Sequence, residues 1–553
     1  MENNSQKKTK KESNFVIQGT ILAVAGIFCR LIGLAYRVPM INIIGDDGIG
    51  YYQTAFNVYS IMLLLSSYSL PLAVSKMISA RIAKGEYINA GRILKASLFY
   101  ATLVGGIGCS VTWFGAEFFA NSVFRMPFCV YALRTLAPTI WIMAYLGVFR
   151  GYFQGLGTMV PTATSQIFEQ IINALVSVGA AAVLFGYGVK ANLIYEATEY
   201  PNAYGAAGGT IGTGAGALTA LLFLLFLFYT HRKTRKRQIR KDATGSFESY
   251  GEITGVLCMT VIPVILSTSV YNLSGIIDNG LFGQCMVKLG RAAETATLYG
   301  IYSGKYQLLI NVPVAIANSL SSSLIPALSR AVASKNRGQT LDRVATSIRF
   351  SMIVAIPSTV GLTVLAGPIN MLLFSSSNEI AIKMTMIGSI SVAFYSLSTV
   401  SNAILQGLSH MNVPIRNAII SLVLHVGVFW VLMMGLDWGV YSIVFANVFF
   451  SFMMCLLNGL AIRRILNYNQ EIKKTFLLPT ICAAVMGAAT YGAHLALFKL
   501  GAGNAISTAV SCLVAVAVYA VLLIKTGCVD EVELYSMPKG AKLVKLAHKL
   551  RLL

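Results

Sequence analysis

Apolar stretches of about 20 residues recur along the whole chain, and they restrict its possible folds more than any other feature. Each stretch is long enough to cross the roughly 30 Å hydrocarbon core of a membrane as an α-helix. Polar and apolar residues do not alternate in them, as they do in the strands of an outer-membrane barrel. The sequence therefore predicts an all-α polytopic membrane protein with fourteen transmembrane helices. The predicted spans are 15–38, 54–75, 93–116, 128–149, 163–187, 206–230, 253–277, 297–320, 348–368, 380–404, 416–435, 439–461, 475–497 and 504–524.

Composition and charge agree with a membrane protein. Of the 553 residues, 56% are hydrophobic and 12% are charged, whereas an average soluble domain is about 25% charged. The formal net charge of +22 lies mainly in the tail 1–13 and in alternate loops, above all in the basic segment 232–241. Because basic residues near span ends resist translocation, this charge indicates topology rather than nucleic-acid binding. We expect a multi-pass protein of the bacterial cytoplasmic membrane with both termini in the cytoplasm.

Two short motifs occur twice at nearly the same spacing. Gln-Gly-Leu at 154–156 recurs at 406–408, and Ala-Val-Ser-Lys at 73–76 is matched by Ala-Leu-Ser-Arg at 327–330. This repeat predicts two six-helix lobes related by a pseudo-two-fold axis along the membrane normal, with a cleft between them, as in alternating-access transporters. The predicted regions are a basic cytoplasmic tail at 1–13, an N-lobe at 14–230, a basic cytoplasmic linker at 231–252, a C-lobe at 253–461, two extra helices at 475–524 and a basic amphipathic cytoplasmic tail at 525–553.

Charged side chains inside the predicted spans are candidates for function, because an ionised group at the centre of a membrane helix costs roughly 2.5–3.5 kcal/mol. Lys76 and Arg134 lie near span ends, where snorkelling to the membrane surface is the alternative explanation. The excess of basic over acidic groups predicts a positive cavity for an anion, and the geometry of arginine favours phosphate. The candidates are Arg30, Arg37, Lys76, Arg134, Glu169, Asp278 and Lys305.

Arg30, Arg37 and Lys305 are the predicted substrate-binding bases. The two arginines are two helical turns apart, so both project from one face of the first span and are expected to face a cavity. Asp278 is either their counter-ion within the substrate site or a cation-coupling group. Glu169 is either a cavity or coupling group or a carboxyl that pairs with a neighbouring helix.

Motifs for catalysis, metal binding and nucleotide binding are absent from the sequence. The five histidines lack the spacing of metal ligands. The glycines Gly209, Gly212, Gly214 and Gly216 follow no strand, so they indicate close helix packing rather than a phosphate loop. We therefore expect no enzyme, no metal and no cofactor, with transport driven by the membrane potential or by a coupling cation.

Three stretches carry a resemblance to a known family. They are 30–52, the sequence Arg-Gly-Tyr-Phe-Gln-Gly at 150–155, and the region from Asp278-Asn279 to Gly304-Lys305. With fourteen spans and a six-plus-six repeat, the chain resembles the polysaccharide-exporter branch of the multidrug/oligosaccharidyl-lipid/polysaccharide (MOP) flippase superfamily. Within that branch it is similar to the stage V sporulation protein B group and related lipid II flippases of peptidoglycan synthesis.

The resemblance implies a flippase that moves an undecaprenyl-diphosphate-linked sugar precursor, foremost lipid II, across the cytoplasmic membrane. It places the diphosphate in a cationic cavity at Arg30, Arg37 and Lys305, although lysine at 305 loses the bidentate geometry of arginine. The two extra helices then help to form a groove for the lipid tail. Anionic membrane lipids and cell-wall synthesis proteins are further expected partners.

Three alternatives remain open. A cation-coupled multidrug exporter of the same superfamily would need acidic groups in its cavity, and Asp278 and Glu169 keep this possibility alive. A membrane-embedded transferase would need a carboxylate or histidine cluster at a membrane surface, and the sequence contains no such cluster. The third is a non-transporting scaffold for cell-wall or sporulation assemblies.

Overall fold

A computed structural model describes residues 2–240, 242, 245, 247–529, 531 and 540–549. Within these ranges the chain is helical and no residue lies in a β-strand. The α-helices are α1 (Glu2–Leu63), α2 (Leu70–Ala83), α3 (Tyr87–Phe114), α4 (Val130–Gly155), α5 (Val160–Tyr195), α6 (Tyr200–Thr230), α7 (Arg232–Arg240), α8 (Tyr250–Lys288), α9 (Thr295–Gly300), α10 (Gln307–Ala333), α11 (Arg337–Val364), α12 (Ala366–Phe374), α13 (Glu379–Gly388), α14 (Ser391–Gly407), α15 (Asn412–Trp430), α16 (Tyr441–Leu466), α17 (Leu478–Lys499), α18 (Gly503–Lys525) and α19 (Gly540–Lys549). Short π-helical segments are Leu64–Tyr68, Phe118–Val123, Ile301–Tyr306, Val431–Gly435 and Lys473–Leu477, and 3₁₀ turns are Pro127–Cys129 and Ala292–Glu294.

Ten helices in the described part of the chain are long and apolar enough to cross a membrane. The pair α13 and α14 would add an eleventh span, bent by 45°. The prediction of an all-α polytopic membrane protein is therefore confirmed, whereas the number fourteen stays a prediction. The counts differ in part because one stretch, Val24–Ala83, includes most of the first predicted span and all of the second.

Helix α1 is broken once, at Gly45, whose φ of 68° and ψ of −177° lie outside the helical region. A side chain would be strained at this φ, so the break favours glycine. The segment 39–53 falls between two predicted spans, but in the structure it is helical on both sides of Gly45. Neighbours satisfy the polar groups there, since Asp47 accepts hydrogen bonds from Nδ2 of Asn202, at 3.2 Å, and from the hydroxyl of Thr297. Hydropathy alone misses a helix whose polar side chains are paired in this way.

The chain forms two compact units, Met1–Gly300 and Ile301–Leu553. The first unit extends beyond the predicted N-lobe because α8 and α9 pack against α1. The basic linker predicted at 231–252 contains α7, which has no buried residue. The lobes are defined by the sequence repeat, whereas the two units are defined by which helices pack together. The limits of the lobes therefore stay a prediction.

Glycines allow α5 and α6 of the first unit to pack with their backbones in contact. A Cβ on Gly212 would lie 2.6 Å from Cα of Ser177, and a Cβ on Gly216 would lie 3.1 Å from Cβ of Asn173. Small residues permit the same close approach between membrane helices in general. The prediction that these glycines serve helix packing is confirmed.

Replacing Gly212 by alanine is expected to lower the free energy of unfolding by about 1–3 kcal/mol, the usual cost of overpacking. The added methyl group would push the backbone of Ser177 away and separate α5 from α6. Thermal unfolding of the detergent-solubilised protein measures this loss. Gly179→Ala on α5 is the matched control, because a Cβ there meets nothing within 4 Å. Equal losses in the two variants would contradict the packing role of Gly212.

The two repeated motifs form the same local structure in their respective units. Helix α4 ends at Gly155 and α14 ends at Gly407, and in each case a short turn leads into the next helix. The helix that carries the other motif, α2 or α10, packs against this ending helix. A Cβ on Gly155 would lie 2.8 Å from Cβ of Ile78, and one on Gly407 would lie 3.1 Å from Cβ of Leu328. The repeat therefore extends to local packing, while the pseudo-two-fold axis stays a prediction.

The C-terminal tail contains α19. The sequence predicts a basic amphipathic tail at 525–553, and within it Gly540–Lys549 is helical, whereas 550–553 lie outside the described residues. Val544 is buried, and Lys545 and Lys549 are exposed. Contact of this helix with anionic lipid stays a prediction.

Candidate functional site

Arg30 and Arg37 lie on the part of α1 that precedes the break at Gly45. Seven positions separate them, which is two helical turns, so both side chains start from one face of the helix. Arg30 is exposed and Arg37 is half-buried, with its guanidinium beside the hydroxyl of Tyr36. Two guanidinium groups on one face of a membrane helix can bind an anion with several oxygens, such as a diphosphate.

A buried network of uncharged polar groups lies beside Arg37. The hydroxyls of Tyr36 and Tyr52 are 3.3 Å apart, and Nδ2 of Asn173 donates to the Tyr36 hydroxyl at 3.4 Å. The hydroxyl of Ser177 donates to Oδ1 of Asn173 at 2.8 Å. These bonds tie α1 to α5 and fix the helix from which Arg37 projects. Sequence reasoning missed the network, because single tyrosine, asparagine and serine residues in a span carry no distinctive signal.

Glu169 pairs with a basic residue of a neighbouring helix. Nη2 of Arg150, near the end of α4, lies 2.6 Å from Oε2 of Glu169 on α5, and Nε of Arg150 donates to Oγ of Ser165 at 3.1 Å. The two charged side chains are only 11% and 15% exposed. The carboxyl therefore has the interhelical partner that the sequence analysis left open, and this partner is Arg150, which that analysis used only for the family resemblance. A coupling role for Glu169 stays a prediction.

Asp278 belongs to a polar junction of α1, α8 and α9 in the first unit. Asp278 is 3% exposed and its neighbour Asn279 is fully buried. Nδ2 of Asn279 donates to the hydroxyl of Thr54 at 3.0 Å, and Nδ2 of Asn57 donates to the hydroxyl of Tyr299 at 2.8 Å. The structure thus places Asp278 inside the helical bundle and well before the end of α8. Thr54 and Asn57 are parts of this junction that sequence reasoning missed.

Lys305 lies in the second unit, in the π-helical segment Ile301–Tyr306. It is 4% exposed, and its Nζ donates to the hydroxyl of Ser376 at 3.3 Å. A buried ammonium group of this kind is costly unless polar groups or an anion surround it. The convergence of Arg30, Arg37 and Lys305 on one chamber stays a prediction.

The two bases near span ends lie in exposed positions. Lys76 on α2 is exposed. Arg134 on α4 pairs with Glu117 at 2.8 Å, and these side chains are 41% and 66% exposed. Surface pairs of this type contribute little to stability. Arg134 therefore fits the alternative of a solvated residue at a span end, and a cavity role for Lys76 stays a prediction.

The fold and the intramembrane charges are those of a membrane transporter, and comparison with known proteins identifies its family. Residues 97–511 match the family model described as lipid II flippase MurJ, and the chain belongs to this family. Stage V sporulation protein B of Bacillus subtilis (strain 168) is 26% identical over 533 residues, covering 96% of this chain and 98% of that protein. Lipid II flippase MurJ of the same organism is 24% identical, covering 86% of this chain and 88% of that protein.

A solved structure titled lipid II flippase MurJ, inward closed conformation, has the same fold. It superposes with a TM-score of 0.64 at 15% identity, covering 91% of this chain and 98% of that chain. The family model and the two Bacillus subtilis relatives, together with this fold, confirm the resemblance to MOP flippases. The chain is a multi-pass protein of the bacterial cytoplasmic membrane and a transporter, not an enzyme.

Proposed function

We propose that this chain flips an undecaprenyl-diphosphate-linked sugar precursor across the cytoplasmic membrane by alternating access. Lipid II of peptidoglycan is the substrate that we favour. The observation that carries the proposal is membership of the lipid II flippase MurJ family over residues 97–511. The match to the Bacillus subtilis flippase over most of both chains supports it.

Arg30 and Arg37 bind the diphosphate in this proposal, and Lys305 supplies a third positive charge. Charge-assisted hydrogen bonds from guanidinium to phosphate oxygens are among the strongest in proteins, and they can be bidentate. The placement of both arginines on one face of α1 supports the assignment. Asp278, buried at the junction of α1 and α8, offsets part of this positive charge.

The membrane potential supplies the driving force. Moving one charge across 100 mV is worth about 2.3 kcal/mol. An inside-negative potential favours outward movement of an anion, so a head group with two negative charges that moves outward across 100 mV releases roughly 4–5 kcal/mol. ATP is then not required, and a coupling cation is an additional means of driving the cycle.

Both termini face the cytoplasm in the proposed topology. The basic helix α7 and the basic tail with α19 then lie on the side where anionic lipids attract lysine and arginine. Cell-wall synthesis proteins on the same membrane would use the exported precursor, which makes them further partners of this proposal.

Ligand binding to the purified full-length chain in nanodiscs tests the proposed function. Fluorescent lipid II is expected to bind at micromolar or lower concentration. Its binding should weaken with added salt, because phosphate contacts are electrostatic. An undecaprenyl-linked teichoic-acid precursor and a cationic dye serve as competitors. Displacement by the teichoic precursor alone would change the sugar that we favour. Tight binding of the dye without binding of lipid II would refute the flippase and support the multidrug exporter.

A further inference from the structure

A small uncharged cavity of about 180 Å³ lies within the second unit. Its walls come from α10, α14, α16 and the π-helical segment before α10. Six of its eight lining residues are tyrosines or carboxamides and none is charged, so it suits a neutral group with several hydrogen-bond donors and acceptors. The lining residues are Tyr302, Tyr306, Gln307, Ile310, Asn311, Val314, Tyr395 and Asn447.

Hydrogen bonds hold the polar lining in place. Nε2 of Gln307 donates to the hydroxyl of Tyr302 at 2.8 Å, and Nδ2 of Asn447 donates to the same hydroxyl at 3.0 Å. The hydroxyl of Tyr395 donates to Oδ1 of Asn447 at 2.9 Å. Four helical segments thereby present donors and acceptors in fixed directions. Such preorganisation lowers the entropic cost of binding.

The ring of Tyr306 is also fixed. Its hydroxyl donates to the backbone oxygen of Gly388 at 3.1 Å and lies 3.1 Å from the hydroxyl of Ser391. A Cβ on Gly388 would lie 2.6 Å from Cζ of Tyr306, so glycine makes room for the ring. The rings of Tyr302 and Tyr306 are 5.6 Å apart with an angle of 32° between them. Rings with an apolar face and a polar edge suit a sugar, which has C–H groups on its faces and hydroxyls at its rim.

The cavity has the size of one part of a larger ligand, because sites for complete small molecules measure roughly 300–1,000 Å³. Lys305, a proposed phosphate-binding group, directly precedes Tyr306 in the same π-helical segment, so their backbones are adjacent, although the Lys305 side chain does not line the cavity. In a sugar diphosphate the first sugar is bonded directly to a phosphate. A site for that sugar must therefore lie within a few bond lengths of the phosphate site.

We propose that this cavity is a subsite for the sugar attached to the diphosphate of the carrier lipid. The inference rests on the proposed function and adds selectivity to it. Lys305, in the same unit as the cavity, contributes to binding of the diphosphate that all such carriers share. The cavity distinguishes a carrier that bears sugar from a bare carrier through Tyr302, Tyr395 and Asn447. The bare carrier therefore does not compete for export.

Affinities of the full-length protein in nanodiscs for two ligands test this inference. One ligand is undecaprenyl diphosphate and the other is lipid II. The wild type is expected to bind lipid II about tenfold more tightly than the bare carrier, as a few neutral hydrogen bonds allow. Tyr395→Phe should reduce this ratio about three- to tenfold and leave binding of the bare carrier unchanged. Asn311→Ala, at an exposed position of the lining, is a second variant with the same expected direction.

Tyr491→Phe is the matched control, because Tyr491 is exposed on α17 and does not line the cavity. If Tyr395→Phe and Asn311→Ala both keep the wild-type ratio of affinities for lipid II and undecaprenyl diphosphate, the sugar subsite is overturned. Equal affinity of the wild type for the two ligands would also overturn it, while the proposed function would stand. If the wild type binds neither ligand, the proposed function fails and the subsite fails with it.

Discussion

Replacing Arg30 by glutamine is expected to abolish flipping of lipid II while leaving a folded, membrane-inserted protein. Arg30 is exposed on α1, so the change removes little packing. It removes a charge-assisted contact with phosphate, and truncating one partner of such a contact costs about 2–5 kcal/mol. Because 1.4 kcal/mol corresponds to a tenfold change in affinity, the affinity for lipid II should fall roughly 30-fold or more. Liposomes that contain the protein and fluorescent lipid II, probed with a membrane-impermeant quencher, measure the flipping rate.

Two further variants make this experiment specific. Arg30→Lys keeps the charge but loses the bidentate geometry, so an intermediate rate is expected. Arg134→Gln is the matched control, because Arg134 pairs with Glu117 at an exposed position and its loss should leave flipping unchanged. Flipping at the wild-type rate by Arg30→Gln would count decisively against the diphosphate site on the first helix.

Replacing Arg150 by methionine is expected to destabilise the protein by about 3–5 kcal/mol, the usual result of removing one partner from a buried ion pair. The carboxylate of Glu169 would remain 15% exposed without the guanidinium that now lies 2.6 Å away. An unpaired carboxylate in this largely buried position is costly. Thermal unfolding in detergent measures the loss.

The double variant Arg150→Met/Glu169→Met separates structure from function. Replacing both partners of a buried pair by apolar residues of similar volume is often neutral for stability, so the double variant should regain most of the loss. If it also flips lipid II, Glu169 has a structural role. If it is stable but does not flip, Glu169 is a coupling group. A double variant as unstable as Arg150→Met alone would show that the pair is not the source of the destabilisation.

The fold class and the family were predictable from sequence, because apolar length, charge bias and family motifs are properties of the residues themselves. The extent of individual helices was less predictable. The segment 39–53 contains two aspartates and reads as a loop on hydropathy, yet it is helical on both sides of Gly45. Partners distant in sequence, such as Asn202, satisfy Asp47 there. Only tertiary structure reveals such partners.

The candidate site was likewise predictable from sequence only in part. The intramembrane charges stand out in sequence because they are costly in a membrane. Their partners do not, since Arg150 lies near the end of α4 and Thr54 and Asn57 are ordinary polar residues. The cavity lined by Tyr302, Tyr395 and other uncharged residues is missed for a similar reason. Its residues come from helices far apart in sequence and none of them is unusual alone.

The break at Gly45 divides the first helix into two parts. Arg30 lies fifteen residues before it, which is about 22 Å along a helix axis. On the other side the chain is anchored, because Gly50 packs directly on the backbone of Ala296. The part before Gly45 is held as well, because the hydroxyl of Tyr36 lies 3.3 Å from that of Tyr52 and accepts from Nδ2 of Asn173. The backbone angles of Gly45 thus set a fixed change of direction between two anchored parts of the first helix, and Arg30 and Arg37 lie on the part that precedes it.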